Sequence, residues 1–329
     1  MKPTIRDVAR EAGVSIATVS RVINGQDKVK RETRELIQQT IEKLNFRPNH
    51  AARTMNRIQT KTIGLIVPHI TSEFWAQFAE AIETSLWEQG YTLIIGFDNF
   101  TEAKQKAIIE IFEQKEVDGI IMGYTPPFFI ENQLDRIIHS GRPVVALNSS
   151  TPKIHSVSVD RIRGLRNAIH YLIQLGHTAI AYITYQEMPS DLMNAMSSSG
   201  IDTNDKLNVK VKVSDNFNEA GYSAAKQLLN NQTHFSAVFC DNDLLAMGAI
   251  RAFHESGLNV PNDISVVGYD DIRASALYNP SLTTVKQPIE ELGKYLAEKI
   301  IKLVHGELGE PNNIVLPLEL VKRESTQSL

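Results

Sequence analysis

Apolar residues in the first sixty positions recur at helical spacing, whereas after Lys61 they gather into short runs separated by amphipathic stretches. Ile5, Val8 and Ala9 fall on one helical face, behind a capping-box-like start in which Thr4 is the N-cap and Asp7 the acidic residue that follows. Gly13 can take the left-handed conformation that closes a helix. Ser15, after Val14, is then a fresh N-cap for a second helix from Ile16 to about Ile23. Asn24-Gly25 ends that helix, and a third is predicted from about Arg31 to Leu44, with Leu36, Ile37, Ile41 and Leu44 on its buried side. Helix, tight glycine turn and capped helix are the sequence signs of a helix-turn-helix.

Beyond Lys61 the apolar runs predict strands at Thr62–Val67, Thr92–Phe97, Gly119–Gly123, Val144–Asn148, Ala179–Thr184, Ala237–Cys240 and Ile264–Gly268. Helical stretches lie between them at Glu73–Gln89, Ala103–Lys115, Leu165–Leu175, Ala220–Leu229 and Leu244–Ser256, and Gly90, Gly176 and Gly257 stop three of them. Strand–helix alternation of this length implies parallel sheets in an α/β architecture. The chain shows no internal repeat, no low-complexity segment, no signal-peptide pattern and no apolar run of the roughly 18 residues a membrane helix needs. A cytoplasmic protein is expected.

Charge sharpens the division. The 329 residues carry a formal net charge of -4, but residues 1–60 hold 12 Lys and Arg against 6 Asp and Glu, so the basic end alone is set to meet a polyanion. Residues 61–329 carry the acidic excess. The second helix offers Ile16, Ala17, Ser20 and Arg21 on its exposed face. Arg can bond guanine O6 and N7 together, and small apolar groups can touch a thymine methyl. Thr18 and the first N–H groups of the helix suit phosphates. One cysteine, Cys240, excludes an intrachain disulfide and sits in an apolar run as a buried structural thiol.

The run from Thr4 to Asn24 resembles the headpiece of the LacI/GalR family of bacterial regulators, as do Leu44-Asn45-Phe46-Arg47-Pro48-Asn49 and Ala52-Arg53. Gln89-Gly90-Tyr91, Val117-Asp118-Gly119-Ile120-Ile121, Leu175-Gly176-His177, Asp241-Asn242-Asp243, Ser265 to Asp271 and Leu282-Thr283-Thr284-Val285-Lys286-Gln287-Pro288 extend the likeness over nearly the whole chain. The resemblance implies an all-α helix-turn-helix headpiece at 1–48, a hinge helix and linker at 49–60, and an effector-binding and dimerisation domain at 61–329. That domain is expected to be periplasmic-binding-protein-like, with two Rossmann-like subdomains: about 62–160 with 290–315, and about 161–288 with 316–329. Thr4, Ser15, Ile16, Ala17, Thr18, Ser20, Arg21, Asn24, Asn49, Ala52, Arg53 and Met55 are the DNA-contacting residues it implies, with 16, 17 and 21 reading bases. Met55 stands where the family usually has a leucine wedge, and Lys30 where a Ser or Asp cap is expected before the third helix.

A ligand is expected in the cleft outside the strand C-termini, as in open α/β sheets generally. Aromatic faces with Asp and Asn groups suit a sugar, and the candidates are Phe74, Trp75, Asn99, Tyr124, Asn148, Asp160, Phe217, Asp241 and Asp270, with Asp98 beside Asn99. Two departures mark this chain: the segment from Tyr185 to Met196 is shorter than usual and lacks an arginine, and Asn148-Ser149 replaces a common Asp-Arg pair. No phosphate loop, Walker sequence, His-Glu-x-x-His or nucleophile elbow is present, and the histidines show no ligand spacing, so neither an enzyme nor a cofactor or metal is expected. His177 follows a helix-ending glycine and reads as structural. The expectation is a regulator, a repressor of carbohydrate-utilisation genes, that binds palindromic double-stranded operator DNA as a homodimer and is switched by a small-molecule effector, a sugar. The alternative is a family regulator governed by a protein co-regulator or carrying a degenerate pocket.

Overall fold

The alternation after Lys61 builds two six-stranded sheets in the computed structural model, which describes residues 5–23, 29–44, 59–123, 141–149, 151–185, 205–212, 216–231 and 233–329, with isolated positions between. The first sheet contains β1 (Thr62–Val67), β2 (Thr92–Phe97), β3 (Gly119–Met122), β4 (Val144–Leu147) and β5 (His155–Val159), joined late in the chain by β11 (Asn313–Leu316). The second contains β6 (Ile180–Thr184), β7 (Asn208–Lys210), β8 (Ala237–Cys240), β9 (Ser265–Asp270), β10 (Thr283–Lys286) and β12 (Glu319–Val321). Their orders are β11-β5-β4-β3-β1-β2 and β12-β10-β9-β8-β6-β7, and every pairing is parallel except β10 with β12. Parallel sheets bury both faces, which is why β1, β3, β4, β6 and β8 read as unbroken apolar runs.

Helices cover both sheets: α4 (Glu73–Trp87), α5 (Glu102–Gln114) and α10 (Ile289–Val304) the first, and α6 (Arg161–Gln174), α7 (Phe217–Asn230) and α8 (Asp243–Glu255) the second, with the short α9 (Arg273–Leu277) after β9. Separate buried clusters fill the two sides of each sheet. Helices α7 and α8 pack with almost no side chain between them at one point. A Cβ on Gly248 would lie 1.9 Å from Asn218 O, and one on Gly221 2.1 Å from Leu245 O, so both positions require glycine for close approach. The two sheet units touch: Met247 and Ile272 of the second bury into the core of the first, Ala274 N donates to Glu73 Oε2 at 3.1 Å, and Arg273 pairs with Glu80 at 3.3 Å.

The N-terminal helices are α1 (Ile5–Glu11), α2 (Ile16–Ile23) and α3 (Arg31–Lys43), and they enclose a small core of Val8, Ala9, Ala12, Val19 and Ile37. Gly13 has φ 63°, the conformation its turn demands. Leu36 corrects the sequence expectation: it is 47% exposed, while Ile37 and Thr40 are buried and Ile41 and Leu44 half-buried. The inward face runs through 37, 40, 41 and 44, and Leu36 lies about 100° away from Ile37 around the helix.

Candidate functional site

Two regions carry the chemistry, and the first is the face of α2. Ser15 caps that helix: Thr18 N donates to Ser15 Oγ at 3.1 Å and the two hydroxyls are 2.8 Å apart. Val19 anchors α2 in the headpiece core, which turns Ser15, Ile16, Ala17 and Arg21 outward, with Thr18 and Ser20 half-exposed. Ile16 is 47% exposed at the start of the helix, an apolar side chain that the headpiece itself leaves uncovered. Thr4, Asn24, Asn49, Ala52, Arg53 and Met55, together with the expected hinge helix, lie outside the described residues.

The second region lies at the C-terminal ends of the two sheets, and here the side chains are bonded within the protein. Asn148, which follows β4, has φ 52°, and its Oδ1 accepts Val159 N at 3.0 Å. Asp160, after β5, is the N-cap of α6 and accepts Arg163 N at 3.1 Å. Beyond β8, Asp241 is fully buried and its Oδ1 accepts Arg161 Nη2 at 2.6 Å, while Tyr185 N donates to Oδ2 at 3.0 Å. Asp270 ends β9 with φ 117° and takes Gln287 Nε2 at 2.7 Å. Phe74 is buried against Trp75 and Phe78, and Trp75 is half-buried. Phe217 opens α7 with its ring 5.3 Å from that of Tyr185. Asn99 is exposed with φ 51°, next to the buried Asp98. Tyr124 and most of the shortened segment after Tyr185 lie outside the described residues.

Arg161 is the residue that sequence reasoning missed. Its guanidinium lies 5.4 Å from the centre of the Tyr269 ring as well as against Asp241. Burial opposes its charge, but Asp241, Tyr185 and Tyr269 more than offset that and hold the guanidinium above its ordinary pKa. Burial, reinforced by the neighbouring Asp243 and Asp241 carboxylates, raises the Asp270 carboxyl well above the usual carboxylate range despite Gln287 and Arg161. The only local signal was an arginine directly after an N-cap aspartate; its partner is 80 residues away.

Comparison with known proteins names the architecture. Residues 4–49 match the family described as bacterial regulatory proteins, lacI family, and residues 169–326 the periplasmic binding protein-like domain. Catabolite control protein A of Priestia megaterium is 33% identical, over 99% of this chain and all of its own length. The chain belongs to the LacI family. Among solved structures, a CelR–cellobiose complex is similar over 98% of this chain and 99% of its own, with TM-score 0.73 and 28% identity. The lac repressor dimer bound to operator and the anti-inducer ONPF matches over the full length of both chains, with TM-score 0.69 and 29% identity.

As a LacI-family protein the chain is a DNA-binding transcriptional regulator and not an enzyme, with the helix-turn-helix and doubled α/β fold of that family. The environments of His177 and Cys240 are structural. His177 is buried, with Nδ1 2.9 Å from Ser236 Oγ and Nε2 3.1 Å from Ser265 Oγ, and burial lowers its pKa against a bond that its ring donates to Gln327 O. Cys240 is fully buried, and burial next to Asp241 and Asp243 pushes its thiol well up, away from nucleophilic use. Among the described residues no group of His, Cys, Asp or Glu is placed to hold a metal, and no helix is long and apolar enough to cross a membrane.

Proposed function

We propose that this LacI-family regulator is a cytoplasmic repressor of carbohydrate-utilisation genes, which binds a palindromic operator as a homodimer and releases or grips it according to a sugar in the cleft between the two sheets. The observation that carries the DNA half is the outward face of α2, where exposed Ile16 and Ala17 sit beside Arg21 behind a capped helix start. These are the groups that touch a thymine methyl and fork onto guanine. Ser15, Thr18 and Ser20 serve the phosphates and groove edge, with Thr4, Asn24, Asn49, Ala52, Arg53 and Met55 extending the surface through residues 1–48 and the hinge at 49–60.

The sensing half rests on the strand ends of residues 61–329, where Trp75, Asn148, Asp160, Phe217 and Asp270 combine aromatic faces with carboxyl and amide groups. Phe74, Asn99, Tyr124 and Asp241 complete the proposed set. The likeness to a regulator solved with cellobiose supports a sugar, and the likeness to an operator-bound dimer supports two copies on DNA. A ligand that favours one arrangement of the two sheet units shifts operator affinity by its differential affinity for the two states, and by no more. The deciding experiment selects an operator from random duplexes with the purified protein, then titrates mono- and disaccharides into that complex. A palindromic consensus whose affinity changes with one sugar is expected; an operator indifferent to every sugar tested would sink the sensing half and leave DNA binding intact.

A further inference from the structure

The strand ends of the second sheet carry a charge arrangement that bears on the ligand, given the reading above that a small molecule binds there. Asp241 has no exposed surface, whereas Arg161 keeps 22% of its side chain exposed, so Arg161 is the member of the pair that an incoming molecule meets. The guanidinium is held by one 2.6 Å contact to Asp241 Oδ1 and lies near the Tyr269 ring. Asp270 is the next carboxyl along the sheet, bound on one oxygen by Gln287, whose own Oε1 is buried without a hydrogen-bond partner among the described residues. In the interacting group of Arg161, Tyr185, Asp241, Tyr269 and Asp270, Arg161 is the single cation and two carboxyls face it.

We propose that the Arg161–Asp241 pair sets the charge of the ligand: the Arg161 cation is neutralised from within, so the site takes an uncharged polyhydroxylated molecule and rejects phosphorylated or carboxylated ones. An anion that binds Arg161 either shares its one positive charge with Asp241 or displaces Asp241 and takes this counter-ion from a buried carboxylate beside Asp270. A neutral polyol requires no such exchange. Its hydroxyls donate to Asp270 and accept from the N–H groups of Arg161 that Asp241 leaves over, because a hydroxyl is both donor and acceptor.

The test compares full-length wild type, Asp241→Asn and the double variant Arg161→Gln/Asp241→Asn, using calorimetric and thermal-shift titrations with inorganic phosphate, glucose 6-phosphate and glucose. Asparagine keeps the size of Asp241 and an oxygen for Tyr185 N, but it frees the guanidinium. The expected result is no saturable binding of either phosphate compound by wild type, at least a tenfold gain in Asp241→Asn, and loss of that gain in the double variant. Tighter binding of glucose 6-phosphate than of glucose by wild type overturns the proposal without any variant. So does a folded Asp241→Asn protein, verified by circular dichroism, that gains no anion affinity. If the gain appears while a panel of neutral sugars leaves wild type unmoved, the charge rule stands and the sugar-sensing reading falls, so the two failures are separable.

Discussion

The face of α2 and the C-terminal ends of the two sheets, the two surfaces proposed to meet a partner, hold their polar groups in opposite ways. On α2 the side chains proposed to meet DNA point away from a five-residue core, with Ser15, Ile16, Ala17 and Arg21 exposed and Thr18 and Ser20 half-exposed. At the strand ends the polar groups are tied to the protein itself: Asn148 to Val159 N, Asp160 to Arg163 N, Asp241 to Arg161, Asp270 to Gln287. The difference follows from solvation. DNA recognition proceeds from a wet surface where an unpaired arginine is hydrated and costs little, whereas a half-buried carboxylate must find a donor inside the fold or neutralise. The cleft therefore doubles as structure, and changes there are expected to reach stability before they reach binding.

The sharpest break of that contrast is Arg161→Ala. Removing one partner of a buried pair takes the counter-ion Arg161 from Asp241, which costs about 3–5 kcal/mol, and the urea midpoint of the 61–329 unit should fall accordingly. A midpoint unchanged within error would show that the cleft is no more self-satisfied than the headpiece. Arg21→Ala should do the reverse. It should lose about 1–3 kcal/mol of discrimination at one base pair, read by competition between the selected operator and single-base variants, with the urea midpoint unmoved. Ser15→Ala is expected to be smaller, about 1 kcal/mol of α2 stability, because it removes the cap on Thr18 N. Faster amide exchange confined to α2 would report it; equal exchange throughout would mean that the Thr18 hydroxyl replaces the cap.

How much of this was legible in the sequence divides along the same line. The strands β1, β2 and β8 match their apolar runs end for end, and α2 matches its cap-to-Ile23 reading, because those patterns are local. The element β10 escaped because two of its three buried residues are threonines, beside Val285. Thr284 donates to Asp243 at 2.5 Å, and Thr283 N donates to Ser325 Oγ at 2.8 Å, both over some forty residues. Strands β11 and β12 are short, half-exposed edge partners with little apolar pattern to detect. In the cleft, the candidate carboxylates were found at their strand ends, but which of them stand open to a ligand depended on Arg161 and Gln287, whose partners are distant in sequence. Leu36 failed by a single step of the helical wheel.

The finest test of the contrast is a slope rather than a midpoint. Besides Asp270, two buried carboxyls in the 61–329 unit titrate late: burial pushes Asp98 up to about 6, against bonds from Phe100 N and Gln105 Nε2, and Asp243 up to about 7, against Thr284, Ser275 and Ile272 N. The folded state thus holds protons that the unfolded chain releases near its own pKa of about 4. Their contribution to stability is full below that value and is lost as pH rises through about 6 for Asp98 and about 7 for Asp243. Asp98→Asn removes one of these titrations, so its urea midpoint should decline less between pH 4 and pH 7 than that of wild type, with the two curves parallel above pH 7. In the headpiece of α1, α2 and α3, by contrast, the Glu11 carboxyl is exposed and its bond from Lys43 lowers it. Amide exchange in those helices should therefore show none of this decline after correction for intrinsic rates. A steeper decline in Asp98→Asn would mean that the Asp98 carboxyl is charged in the folded state at pH 5, and that its bonds to Phe100 N and Gln105 outweigh its burial.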